Sequence, residues 1–162
     1  MLPPLGAEKP RVLILGSLPG RRSLAEQRYY AHPQNAFWWI MRSLLNNPLA
    51  SVEQQKSALT RQGILLWDVL HTAERPGSLD ADIRAGTERF NPIASLLADK
   101  SQLKLIVCNG KKAMSLFDRL PDYAQLQSID RVCLPSTSAA HARLRPEQKL
   151  QQWKEAIAPY LS

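Results

Sequence analysis

Four short apolar runs punctuate the chain: "RVLILG" (11–16), "GILLWDV" (63–69), "LKLIVCNG" (103–110) and "RVCLP" (131–135). They are nearly continuous rather than alternating, which predicts strands buried on both faces of a sheet. Helical spacing separates them. In "NAFWWIMRSLL", Phe37, Ile40, Met41, Leu44 and Leu45 recur at the 3.6-residue period of one helix face. A second helix is predicted at "NPIASLLADK", with Asn91 as N-cap and Pro92 at the first helical position. "KKAMSLFDRL" follows the third strand and stops before Pro121, and "RPEQKLQQWKEAIAPYL" sets Leu150, Trp153, Ile157 and Tyr160 on one side. Strands alternating with helices predict a three-layer α/β/α fold around a central, mostly parallel four-stranded sheet. No repeat or long linker interrupts the pattern, so residues 1–162 are expected to form one domain. In such folds the site forms where the carboxyl ends of strands meet their loops.

Composition narrows the class. With 44% hydrophobic and 22% charged residues over 162 positions, the chain reads as an ordinary globular protein able to bury a core. No apolar run approaches the roughly 18 residues of a membrane span. "MLPPLGAEKPR" lacks the basic-then-apolar order of an export signal, so a cytoplasmic location is expected. Cys108 and Cys133 lie in strand-like runs and are expected to be reduced, buried thiols. Two thiols cannot complete an iron–sulfur cluster or an all-cysteine zinc site, and no metal or cofactor is expected. The 21 Lys+Arg against 14 Asp+Glu leave a net charge of +7, which points to a polyanionic partner, most often nucleic acid. Arg21, Arg22, Arg28, Lys111, Lys112, Arg143 and Arg145 flank the post-strand loops.

Those loops carry the candidate chemistry. "GSLPG" (16–20) is neither a dinucleotide fingerprint nor a P-loop; its glycines instead predict a tight turn that brings backbone N–H groups near a ligand. "YYAHPQNAFWWIM" (29–41) has five aromatic residues in thirteen, with His32 and Asn35 among them. Asn35 either caps the following helix or serves chemistry, and His32 is either a packed histidine or a site residue. Asp68 closes an otherwise apolar strand, where a carboxylate implies a site role or a structural ion pair. Asn109 is expected to turn the chain with Gly110. The hydroxyls of "LPSTSAAHA" (134–142) suit either a DNA phosphate or a helix N-cap at Ser136 or Ser138.

Taken in order, "VLILGSLPG", "YYAHPQNAFW", "GILLWDVL", "LIVCNG" and "LPSTSAAHA" resemble the uracil-DNA glycosylase superfamily, in particular its hypoxanthine-DNA (deoxyinosine) glycosylase branch. The resemblance runs from the first strand to the last helix. Uracil glycosylases of this group place Asp or Asn in the first loop, where this chain has Leu18, and several place His where it has Leu134. In the resembled branch the role passes to the Asn of "HPxN", here Asn35.

The resemblance implies a monomeric, cofactor-free enzyme acting on double-stranded DNA that contains a damaged or mismatched base. A base within a duplex is out of reach, so the nucleotide must be flipped into a pocket. Tyr30 matches the residue that stacks on the flipped base, and Asp68 the position that reads its edge, with Ser17 nearby. Asn35 would orient water and steady charge, with His32 assisting. Ser136 and Ser138, helped by Ser17 and Ser23, would hold phosphates, together with Lys111 and Arg143. Relatives often carry a bulky wedge where this chain has Ser138, so Arg143 or another loop is expected to fill the vacated stack. Other readings stay open: a uracil or thymine mismatch glycosylase, a lesion-binding module without activity and, disfavoured by the lack of a phosphate-loop or ribose-binding motif, a small-molecule nucleotide-binding protein.

Overall fold

A computed structural model describes residues 1–161. Strands β1 (Leu5–Gly6) and β2 (Val12–Gly16) lead into helices α1 (Arg21–Glu26), α2 (Phe37–Leu45) and α3 (Val52–Gln62). Strand β3 (Ile64–Asp68) follows, then a small hairpin of β4 (Leu70–Thr72) and β5 (Arg89–Phe90). The remainder alternates: α4 (Ile93–Leu97), β6 (Leu105–Asn109), α5 (Lys111–Asp118), β7 (Asp130–Leu134) and α6 (Pro146–Ile157). The main sheet has the order β1-β3-β2-β6-β7. All four predicted strands are present and parallel, and the extra fifth member is β1, antiparallel to β3 at the edge. Two residues are too few to show a period, which is why β1 left no mark on the hydrophobic pattern.

Alternate residues of the buried strands feed two cores, one on each face of the sheet. Val12, Ile14, Ile64, Leu66, Leu105 and Val107 pack with Phe37, Ile40 and Met41 of α2, Leu59 of α3 and Trp153 and Ile157 of α6. Leu13, Leu15, Leu65, Trp67, Ile106 and Cys108 face the other way, onto Ile93 and Leu97 of α4 and Leu116 and Phe117 of α5. The three-layer arrangement therefore follows from β2, β3 and β6, every residue of which is buried; β7, expected to be buried as well, lies at the edge with only Leu134 buried.

Two local expectations change, and one helix had no counterpart among them. Cys108 is buried, but Cys133 is exposed, because β7 is an edge strand. Asn91 is not the cap of α4: Pro92 takes that place, and the Asn91 amide turns inward to donate to the carbonyls of Asp68 (2.8 Å) and Leu70 (3.2 Å). The polar stretch Val52–Gln62, with only Gln55, Ala58 and Leu59 buried, forms α3 under a Ser51 cap that accepts from the Gln54 N–H at 3.1 Å.

Candidate active site

The parallel strands end side by side, and the loops beyond them enclose a cleft of about 990 Å³. Gly16 and Asp68, the last residues of β2 and β3, are neighbours in register. Asp68 is 5% exposed, and its Oδ2 has no hydrogen-bond partner. Gly16 makes room for it: a Cβ there would stand 2.5 Å from Asp68 Oδ1 and 3.3 Å from the Tyr30 hydroxyl. Burial, then the Asp80 carboxylate, push the Asp68 carboxyl up to about 7, while Arg75 pulls the other way. Asp68 is thus poised between donor and acceptor near neutral pH.

Tyr30 completes this end of the cleft. Its ring stacks on Phe37 with centroids 4.0 Å apart and planes inclined by 23°. Its backbone is left-handed, φ 52°, a conformation that costs a bulky residue about 1–3 kcal/mol and that clusters at functional sites. The phenol is buried without a partner, and burial followed by the Asp68 carboxylate raises its pKa. Two unpartnered polar groups around one glycine leave hydrogen-bonding capacity for a ligand to complete.

Asn35 and His32 also line the cleft. Asn35 is not the N-cap of α2, a place taken by Ala36, but its Oδ1 accepts from the Phe37 N–H at 3.0 Å and so satisfies the first N–H of the helix. This bond does not exhaust the side chain, because Nδ2 makes no hydrogen bond among the described residues and Oδ1 keeps a second lone pair. His32 Nδ1 accepts from the Gln34 N–H at 3.1 Å, which leaves Nε2 as the protonated nitrogen of the neutral ring.

The last loop is held from three sides. The Asn109 amide donates to Thr137 Oγ1 at 3.0 Å and its Oδ1 accepts from the Thr137 N–H at 3.0 Å, while the Thr137 carbonyl accepts from the Ala36 N–H at 2.9 Å. From α6, Lys149 Nζ donates to the Ser138 carbonyl (3.2 Å) and Trp153 Nε1 to that of Pro135 (2.9 Å). Gly110, at φ 94°, lets the loop approach: a Cβ there would lie 3.0 Å from that of Ser136. Ser136 and Ser138 cap no helix. Their hydroxyls accept from the N–H groups of Ser138 and Ala140, both at 3.2 Å, and shape the loop.

Residues 3–162 match the Uracil DNA glycosylase superfamily profile. The chain belongs to that superfamily. A hypoxanthine DNA glycosylase from Methanosarcina barkeri (strain Fusaro / DSM 804) is 35% identical over 157 residues, which covers 96% of this chain and 95% of that protein. Another from Methanosarcina acetivorans is 32% identical, covering 91% and 90%. A solution NMR structure of a Methanosarcina acetivorans protein assigned to the uracil DNA glycosylases matches with TM-score 0.81 and 29% identity, over 98% of this chain and 96% of that one.

In this member of the superfamily, Leu18 lines the cleft while resting against the core of one face, and Leu134 is buried in the core of the other. Neither offers a polar atom to a water. Ser17 also lines the cleft, with its hydroxyl donated to the Asp80 carboxylate, and buried Ser23 accepts from the Ala31 N–H at 3.1 Å. Of the five aromatic residues in the HPQN segment, Tyr29 and Tyr30 line the cleft, Phe37 and Trp38 are core, and Trp39 is exposed. Arg21, Arg22, Lys111 and Lys112 lie on the cleft wall; exposed Arg143 does not. Asp80, Arg75 and Lys149 were missed by sequence reasoning, as was the clamping of Thr137 by Asn109. Asp80 and Arg75 sit in a loop without hydrophobic period, so no local signal marks them; Lys149 lies four residues before Trp153 on the buried face of α6, and a lysine on that apolar stripe was the signal available.

Proposed function

We propose that this superfamily member is a monofunctional DNA glycosylase that flips a deaminated base, hypoxanthine foremost, from duplex DNA and hydrolyses its N-glycosidic bond. It leaves an abasic site, acts as a monomer without a cofactor, and uses residues 1–162 as one catalytic domain. The observation that carries the reading is the buried, unpartnered carboxyl of Asp68 beside the Tyr30 ring, at the closed end of a cleft rimmed by basic and hydroxyl residues. A neutral carboxyl can donate to O6 of hypoxanthine and accept from its N1–H at once. The Tyr30 ring supplies the stacking face, worth ~1–3 kcal/mol for a base.

Asn35 serves the reaction at the sugar. Its free lone pair orients water toward C1′ and its Nδ2 hydrogens steady developing charge, while the bond to the Phe37 N–H fixes the side chain in place. His32 presents Nε2–H to the same space. Lys111, with the Ser136 and Ser138 loop, receives the phosphates next to the flipped nucleotide. Arg143 serves DNA outside the cleft.

Uracil offers a similar N–H and C=O edge, so a uracil or mismatch glycosylase is the second reading; the apolar Leu18 in the first loop disfavours it. Duplexes with inosine, uracil, xanthine or a normal pair, followed by abasic-site detection, decide between them. Asn35→Ala should slow single-turnover release by ~10²–10³, the scale of one preorganised donor. It should also lose ~1 kcal/mol of stability with the hydrogen bond to the Phe37 N–H. A folded Asn35→Ala protein that releases hypoxanthine at the parental rate would end the proposal.

A further inference from the structure

Flipping a nucleotide leaves a gap in the stack and an orphaned opposite base. Proteins that open a duplex commonly hold such a gap with an apolar side chain driven between base steps. In this protein the last loop presents Ser136, Thr137, Ser138, Ala139, Ala140 and His141 to the cleft: the first five lack the bulk for that task, and the imidazole of His141 is polar rather than apolar. The opposite rim offers apolar bulk. Met1, Trp39, Val52 and Leu79 are the exposed large apolar residues among those described, and of these Leu79 alone lines the cleft.

A single exposed leucine carries no meaning by itself. Leu79 is distinguished by how its neighbours are tied to the first loop. Asp80 accepts from the Ser17 hydroxyl, and Ser78 Oγ accepts from the Arg21 N–H at 3.5 Å. Upstream, the Arg75 guanidinium donates to the Leu18 carbonyl at 3.3 Å and to that of Pro19, while Arg21 donates to the Pro76 carbonyl. The turn continues through the Asp82 N–H bonded to the Leu79 carbonyl at 3.0 Å. With the backbone strapped on both sides, Leu79 stays outside the core, 49% exposed, beside the basic start of α1. Such preorganisation lowers the ordering cost of insertion.

We propose that Leu79 is the wedge that enters the duplex and fills the space left by the flipped nucleotide; this rests on the glycosylase reading above. The ties through Arg75, Arg21 and Ser17 make the wedge and the first loop one unit, so the side that receives the base and the side that fills its place move onto DNA together.

The test compares inosine paired with cytosine against inosine within a bubble of unpaired bases that keeps duplex flanks. Hypoxanthine release is measured under single turnover for the parent, Leu79→Ala and Leu79→Met. Leu79→Ala should slow release from the paired substrate by about ten- to a hundredfold, the scale of one leucine burial. Release from the bubble should stay within about twofold of the parent, because no stack remains to be opened. Leu79→Met, with similar apolar bulk, should retain most activity on both, and the melting temperatures should match, since Leu79 makes no core contact. Equal rates for parent and Leu79→Ala on the paired substrate would overturn the wedge, as would equal losses on both substrates. A parent that releases no hypoxanthine from either would overturn the glycosylase reading and the wedge with it.

Discussion

Replacing Asp68 with Asn tests the site through both stability and chemistry. Burial and the Asp80 carboxylate raise the Asp68 carboxyl to about 7 in the folded protein, against 3.8 as its ordinary value. Between roughly pH 4 and 7 the native state therefore holds a proton that the unfolded chain has released. Stability falls as pH rises across that interval and the loss is complete above it. At 1.36 kcal/mol per unit, the penalty reaches up to about 4 kcal/mol at pH 8. Asn carries no charge at any of these values, so Asp68→Asn should match the parent near pH 4 and become progressively more stable up to pH 7. For a chain of this size the gap at pH 8 corresponds to a melting temperature higher by up to about 10 °C. Activity should follow the same proton. The parent loses its donor to O6 as Asp68 ionises, so its hypoxanthine release should decline as pH rises through 7. The variant keeps one donor and one acceptor and should lack that decline. Thermal melts and single-turnover rates of both proteins from pH 4 to 9 supply the readout. Parallel stability curves together with identical pH–rate profiles would refute the reasoning.

Tyr30→Phe removes a hydroxyl that has no partner, so it should leave melting temperature unchanged or raised and base release nearly intact. Tyr30→Ala should weaken binding of the flipped base by ~1–3 kcal/mol and expose Phe37, measured by affinity for inosine duplex; equal losses in the two variants would indicate a hydroxyl contact instead. Arg21, Arg22, Lys111 and Lys112 line the cleft, and neutralisation of about four phosphates predicts a log–log salt slope of about −3 to −4. Lys111→Ala should reduce its magnitude by about 1, and a flat salt response would remove DNA as partner. Borohydride should trap no covalent protein–DNA adduct, since hydrolysis uses water rather than an amine; a trapped adduct would point to Lys111 or Lys112 as nucleophile.

Continuous apolar runs and 3.6-residue spacing were enough to locate β2, β3, β6, β7 and the buried faces of α2 and α6. Burial is a property each residue meets through its own element, so it leaves a local period. The same locality made Asp68 legible, as one acid at the end of an apolar strand, and brought Tyr30, His32 and Asn35 together within one short segment. Proximity between distant segments has no such trace. Nothing near Asp80 in the chain announces that it meets Ser17, 63 positions away, and nothing near Thr137 shows that Asn109, 28 positions away, anchors it. Those meetings depend on strand order: β2 lies between β3 and β6, so the first loop is flanked by the loops of both neighbours. Strand order likewise left β7 at an edge and Cys133 in solvent, although its run reads as apolar as the others. The carboxyl of Asp68 belongs to the sequence; its shift to about 7 belongs to the burial and the second carboxylate that only the assembled sheet supplies.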